Sequence, residues 1–86
     1  MFIILVYDIG QKRVSKVMKI CRKYLMHVQK SVFEGRLTPS NYRQLKRELA
    51  TVIDYHLDSI IIYHLESPRY TNKEEIGKIK HQSNIL

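Results

Sequence analysis

The first ten residues limit what this chain can fold into more than any other stretch. Seven apolar or aromatic residues run without interruption from Met1 to Tyr7; Asp8 comes next and Gly10 two residues later. A short apolar run that ends near a glycine is typical of a buried strand followed by a turn. Side chains alternate along a strand, so both faces of this one are apolar, and one of them ends in Asp8. A charge there is costly to desolvate, which makes Asp8 the first candidate for a functional residue.

The chain is short and strongly basic. Its 86 residues predict one domain spanning 1–86, and 44% of them are hydrophobic, which is enough for a folded core. The formal net charge is +7, from 15 basic and 8 acidic residues. Such a charge favours a polyanionic partner, first nucleic acid and second an anionic membrane surface. Because the apolar start is too short to span a bilayer and does not resemble a signal peptide, we predict a cytoplasmic protein that does not bind membranes.

The segment after Gly10 predicts an amphipathic helix with one basic face. Apolar residues recur at helical spacing from Val14 to Leu25, and this stripe includes the single cysteine, Cys21. One cysteine allows no internal disulfide and no cysteine metal site, so we interpret Cys21 as a core residue. Basic residues occupy another face with no acidic residue among them, which favours a surface for phosphates over an ordinary solvated face. The residues that we assign to nucleic-acid binding here are Lys12, Arg13, Lys16, Lys19 and Lys23.

A second strand is predicted from His27 to Gly35. One of its faces carries Gln29, Ser31 and Phe33. Two small polar groups and one aromatic ring seldom form a core by themselves. This face therefore suits an interface or a functional site.

A second helix and a third strand follow. The helix is predicted to begin with Thr38 as N-cap and Pro39 at its first position, and to end near 53–54. It adds three basic residues to the predicted nucleic-acid surface: Arg43, Lys46 and Arg47. The third strand spans Asp58 to Leu65 and is apolar on both faces, like the first. A weak fourth strand is predicted at about 75–80.

From four strands and two helices we predict a ferredoxin-like βαββαβ fold of the α+β class. Right-handed crossovers place both helices on one face of a single antiparallel sheet. The first and third strands are apolar on both faces, so the other sheet face also needs a cover. A second copy of the chain is the simplest one, and we predict a homodimer that packs sheet against sheet. Asp8, Gln29, Ser31 and Phe33 would then lie near the two-fold axis.

Familiar catalytic and metal-binding motifs are absent from the sequence. The four histidines are scattered, and none has metal-ligand spacing to another: His27, His56, His64 and His81. Asp54 and Asp58 bracket a loop, where a turn or capping role explains them.

Asp8 allows two interpretations. One carboxylate is too few to hold a catalytic Mg²⁺, but a two-fold axis could bring two copies of Asp8 to one site, where a metal would activate water against a phosphodiester. Alternatively, Asp8 forms a local turn by accepting hydrogen bonds from the backbone around Ile9 and Gly10. The residues alone leave both interpretations open.

Three stretches together resemble the small CRISPR-associated endonuclease family, the non-integrase subunit of the spacer-acquisition complex. They are the Tyr-Asp strand end at 5–9, the Gln-Lys-Ser-Val-Phe-Glu-Gly segment at 29–35, and the late apolar strand at 60–63. The resemblance implies a ferredoxin-like homodimer with an exchanged C-terminal strand. It implies nuclease activity on RNA or DNA that depends on Mg²⁺, with Mn²⁺ as an alternative, and Asp8 as the metal ligand. It also implies assembly with the integrase subunit.

On this resemblance we predict a catalytic site formed by Asp8, Tyr7, Ser31 and Phe33. Ser31 would donate a hydrogen bond to phosphate or water, and Phe33 would form an apolar wall. The substrate would be duplex DNA, single-stranded RNA or both, in spacer acquisition and antiviral defence. Two alternatives remain: a non-catalytic DNA-binding scaffold of the integrase complex, and a ribonuclease toxin of the same fold. The tail at about 81–86 is predicted to dock on a partner subunit.

Overall fold

The computed structural model describes residues 1–65 and 74–77. The described chain forms four strands and two helices in the order βαββαβ, which confirms the predicted ferredoxin-like fold. The elements are β1 (Phe2–Asp8), α1 (Val14–Tyr24), β2 (Met26–Gln29), β3 (Val32–Arg36), α2 (Pro39–Ala50) and β4 (Ser59–Leu65).

The position of β1 explains its uninterrupted apolar sequence. The sheet has the order β2-β3-β1-β4 and every neighbouring pair is antiparallel, so β1 lies in the interior. In register, Leu5 lies opposite Phe33 of β3 and Ile62 of β4. Leu5 and Phe33 are completely buried in one core with Val17 and Cys21 of α1, which confirms the prediction for Cys21.

The opposite face of the sheet is apolar as well, but no described helix covers it. Val6 lies opposite Ile61 and Ile4 lies opposite Tyr63 in the β1–β4 pairing. The side chains of Ile61 and Tyr63 remain 52% and 55% exposed. The structure therefore contains the second apolar sheet face that the sequence predicts; we call it the open face.

The prediction of one strand over 27–35 is wrong, because this segment is a hairpin. Strands β2 and β3 are joined through Lys30 and Ser31, and their pairing is irregular between His27 and Gln29. The Tyr7 backbone amide donates to the Ser31 carbonyl at 3.0 Å, and the Tyr7 hydroxyl donates to the Lys30 carbonyl at 2.7 Å. Both bonds tie the turn to the central strand, so the chain reverses here without glycine.

The predicted start of α2 is confirmed. Thr38 is the N-cap, its hydroxyl accepts a hydrogen bond of 3.1 Å from the Asn41 amide, and Pro39 opens the helix. The helix ends at Ala50, earlier than predicted. Residues 74–77 form no strand, whereas the rest of the predicted fourth strand, the exchanged segment and the tail at 81–86 lie outside the described residues. No helix in the described ranges combines the length and apolarity needed to cross a bilayer.

Candidate functional site at the end of strand β1

Asp8 is the last residue of β1, and its side chain is exposed at the edge of the open face. It lies in register with Ser59, the first residue of β4. The turn interpretation of Asp8 is not what the structure contains, because the Gly10 amide donates to Asp58 at 2.8 Å instead. Within residues 1–65 and 74–77 the Asp8 carboxylate has no hydrogen-bond partner, which leaves both of its oxygens available to a ligand.

Asp8 supplies one carboxylate to a hard cation, whose other ligands would have to come from water, substrate or a second chain. The described residues contain no group of three or more histidines, cysteines or acids that could hold a metal ion. Mg²⁺ commonly keeps several waters and takes one or two carboxylates from the protein. The exposed Asp8 carboxylate falls within that range.

Tyr7 and Phe33 lie on the helix-covered side of the sheet, opposite to Asp8. They are 6% and 0% exposed, and Phe33 stacks on the His27 ring with a centroid separation of 4.5 Å. The expectation that Phe33 forms a wall beside Asp8 is therefore wrong. Side chains alternate along β3, and the Phe33 ring lies on the core side because its burial removes a large apolar area from water.

The Tyr7 hydroxyl has a structural role, because it ties β1 to the β2–β3 turn. Burial is the main reason that the pKa of the Tyr7 phenol is raised, and the hydroxyl donates to the Lys30 carbonyl. A role as proton donor to a substrate would require the hydroxyl to break that bond. Ser31 is placed differently: it is half-buried in the same turn, and its carbonyl is bound to the residue that precedes Asp8. The fold thus brings Ser31 and Asp8 to the same end of the sheet.

Asp58 is the residue that the sequence interpretation missed at this site. Its side chain has no exposed surface, and its carboxylate accepts four hydrogen bonds. The Arg13 guanidinium donates two, from Nε to Oδ2 at 2.6 Å and from Nη2 to Oδ1 at 2.9 Å. The Gly10 and Asp54 amides donate the other two, each at 2.8 Å. The hydrogen bonds from Arg13 are the main reason that the pKa of Asp58 lies well below its usual range.

The predicted basic surface divides into exposed and paired residues. Lys12, Lys16 and Lys19 are exposed on α1 and the loop before it. Lys16 and Lys19, with Arg22, line a cleft of about 500 Å³. Arg22 was not among the predicted binding residues, although it lies in the same basic segment.

Two of the predicted binding residues already have acidic partners. Arg13 forms an ion pair with Asp58, and Lys23 forms one with Glu48. Because each charge is compensated locally, these two residues attract a phosphate less than the exposed lysines do. The basic residues of α2 are exposed, and Lys46 lies 4.4 Å from the centroid of the Tyr42 ring. The nucleic-acid role of all of them stays a prediction.

The sheet, its two helices on one face and the carboxylate at the strand end define a ferredoxin-like α+β domain with a candidate metal position. Residues 1–73 match the family model described as CRISPR associated protein Cas2. The chain belongs to this family.

Relatives and solved structures agree with that assignment. The CRISPR-associated endoribonuclease Cas2 of Thermotoga maritima is 43% identical over 86 residues, which covers 100% of this chain and 99% of the relative. The protein of the same name from Pyrococcus furiosus is 48% identical over 73 residues, 83% of this chain and 86% of the relative. A crystal structure of Cas2 superposes with a TM-score of 0.84 at 32% identity, covering 93% of this chain and 90% of the other. Streptococcus pyogenes Cas2 superposes with a TM-score of 0.74 at 32% identity, covering 87% and 100%.

Proposed function

We propose that this chain is a metal-dependent endonuclease that hydrolyses phosphodiester bonds of RNA, DNA or both, and acts in CRISPR spacer acquisition and antiviral defence. The observation that carries the proposal is the exposed Asp8 carboxylate, which has no turn role and lies at the edge of an apolar sheet face. The relatives of this chain are named CRISPR-associated endoribonucleases, which supports RNA as the first substrate to test.

The proposed enzyme is a homodimer that packs through the open face. Ile61 and Tyr63 would lose apolar surface to the partner copy, which is the driving force for such a contact. Asp8 lies at the edge of the same face, and the two copies of Asp8 would come near each other if the two-fold axis passes beside this edge. Two carboxylates would then be available to Mg²⁺ or Mn²⁺.

A metal held by Asp8 would neutralise charge on the phosphodiester and lower the pKa of a bound water. The chain's own groups orient the substrate. The Ser31 hydroxyl would donate to a phosphate oxygen, and Lys12, four residues after Asp8, would compensate backbone charge. Tyr7 and Phe33 support this edge from the core side.

Nucleic acid would be held mainly through its phosphates by Lys12, Lys16 and Lys19, and a CRISPR integrase subunit is the proposed protein partner. Contacts of this kind position a duplex or a single strand without reading its sequence.

A non-catalytic DNA-binding scaffold of the integrase complex is the second candidate. Two observations favour it: each chain supplies one exposed carboxylate at this edge, and the described residues contain no larger set of metal ligands. The third alternative, a ribonuclease toxin of the same fold, receives no support from the family match, which is to CRISPR-associated proteins.

A metal-titrated cleavage assay with Asp8→Asn tests the proposal. Wild type should need Mg²⁺ or Mn²⁺ and lose activity on chelation. Asp8→Asn should lose about 10²–10³-fold in kcat, a typical cost of removing one electrostatic stabiliser. Its dimerisation and nucleic-acid affinity should not change. Asp54→Asn is the matched control, because its carboxylate accepts a hydrogen bond of 2.9 Å from the His56 amide within its own loop.

The unfavourable outcomes have separate meanings. Wild type that cleaves neither RNA nor DNA but still binds duplex and the integrase subunit would be a scaffold. If Asp8→Asn unfolds while Asp54→Asn does not, the Asp8 carboxylate is a structural group.

A further inference from the structure

The buried Asp58 carboxylate joins two loops that are far apart in sequence. It accepts hydrogen bonds from Gly10 and Arg13 in the β1–α1 loop, and from Asp54 in the α2–β4 loop. Each carboxylate oxygen has two donors, so the group is saturated. Bidentate pairing with an arginine also fixes the orientation of the carboxylate.

Both connections lead to the backbone that carries Asp8. Gly10 follows Asp8 by two residues, and its amide is bound directly to Asp58. On the other side, Asp58 precedes Ser59, which is the register partner of Asp8 in β4. The strand end is thus held along its own chain and across the sheet by one side chain.

Gly10 adds a steric requirement to this arrangement. A Cβ on Gly10 would collide with the Arg13 guanidinium and lie 3.4 Å from Asp58 Oδ1. Gly10 therefore lets the arginine lie against the backbone of the loop. This close approach explains the glycine without any special backbone angle.

We infer that Asp58 and Arg13 form a positioning pair for Asp8: they fix the strand end that presents its carboxylate to metal and substrate, and touch neither. The inference rests on the proposed function, because it needs Asp8 to be the metal ligand. It also assigns Arg13 to the interior of the site, although the sequence predicts a nucleic-acid contact for it. A displacement of about 1 Å at a reacting group can cost about 10²-fold in rate, so loss of the pair should be measurable.

The first experiment is amide hydrogen exchange, which needs no activity. In Asp58→Asn, the Ile9, Gly10 and Ser59 amides should exchange about tenfold faster than in wild type, because local opening becomes easier there. The Leu5 and Phe33 amides, which lie in the interior strands β1 and β3, should not change. Asp54→Asn should leave all five amides unchanged. Equal protection at Gly10 and Ser59 in wild type and Asp58→Asn would overturn the inference, whether or not the protein is a nuclease.

The second experiment separates positioning from substrate contact. Arg13→Ala, Asp58→Asn and the double variant should each lower kcat by about 10²-fold, with nearly equal losses because the pair acts as one unit. KM and nucleic-acid affinity should stay within about twofold. A raised KM with a reduced salt dependence for Arg13→Ala alone would identify Arg13 as a phosphate contact and overturn the inference.

Gly10→Ala provides a variant that keeps both charges. It should reproduce the faster exchange at Ser59 and the loss of kcat, since the added methyl group displaces the guanidinium.

If wild type does not cleave any substrate, the proposed function fails, and the exchange results alone still decide whether Asp58 fixes the strand end. If Asp58→Asn does not fold, the amide exchange rates of Gly10→Ala and Arg13→Lys are compared with those of wild type instead. Unchanged exchange in both would overturn the inference.

Discussion

The Tyr7 hydroxyl donates a hydrogen bond of 2.7 Å to the Lys30 carbonyl, and so joins the interior strand to the β2–β3 turn. Tyr7→Phe should lower the free energy of unfolding by about 0.5–1.5 kcal/mol, the usual net worth of one hydrogen bond. Urea unfolding monitored by circular dichroism measures this loss. The variant should keep kcat within a few-fold, because its hydroxyl is bound within the fold. A folded Tyr7→Phe protein without activity would make the hydroxyl a catalytic group.

The open face predicts where dimerisation can be broken. Ile61→Lys places a charge within the apolar open face. Because a buried unpaired ammonium is costly, the variant should sediment as a monomer at micromolar concentration. Leu57→Lys is the matched control, because Leu57 is also exposed, at 74%, but lies in the α2–β4 loop. The expectation is a dimer for wild type and for Leu57→Lys. Monomeric wild type would contradict dimerisation through this face.

Phosphate binding should depend on exposed lysines and not on paired ones. Lys16→Gln with Lys19→Gln should weaken duplex binding for unrelated sequences and reduce the slope of log affinity against log salt by about two. Lys23→Gln with Glu48→Gln removes an ion pair and leaves the net charge unchanged, so affinity should stay nearly constant. Binding titrations at several salt concentrations compare the two double variants. Equal losses of duplex affinity in the two double variants would mean that the ion pair with Glu48 does not keep Lys23 from contributing to phosphate binding.

The sequence predicts the elements whose signals are local. Unbroken apolar runs indicate β1 and β4, and Thr38 with Pro39 marks the start of α2. The hairpin escaped prediction because Lys30-Ser31 is not one of the glycine-containing pairs that mark a two-residue hairpin turn, and contacts with Tyr7 fix the turn instead. Asp58 escaped because its partner Arg13 is 45 residues away, and only the folded chain brings their loops together. Asp8 stands out in the sequence because a charge directly after a buried strand is unusual, and its role as a metal ligand stays a prediction.

Cys21 reports on unfolding because its thiol is fully buried. Burial raises the pKa of Cys21 to about 12, so at pH 8 about one thiol in ten thousand is ionised. The thiolate is the reactive form, and native protein should therefore react very slowly with a disulfide reagent. The labelling rate should rise with urea in step with global unfolding, and denatured protein should react completely. Rapid labelling of the native protein would show that α1 opens independently.

The Asp58 carboxylate predicts how stability depends on acid. The pKa of Asp58 is depressed in the folded protein, chiefly by hydrogen bonds from Arg13, whereas it is about 4 in an unfolded chain. A depressed folded pKa contributes stability that is fully present above the unfolded value and is lost as pH falls toward the folded one. The melting temperature of wild type should therefore exceed that of Asp58→Asn by a constant amount from pH 7 to about pH 5, and this difference should shrink steadily below pH 4. Thermal melts of both proteins between pH 2 and pH 7 measure the difference. If it stays constant down to pH 2, the folded and unfolded states bind protons equally at Asp58, and the ion pair with Arg13 does not stabilise the ionised form.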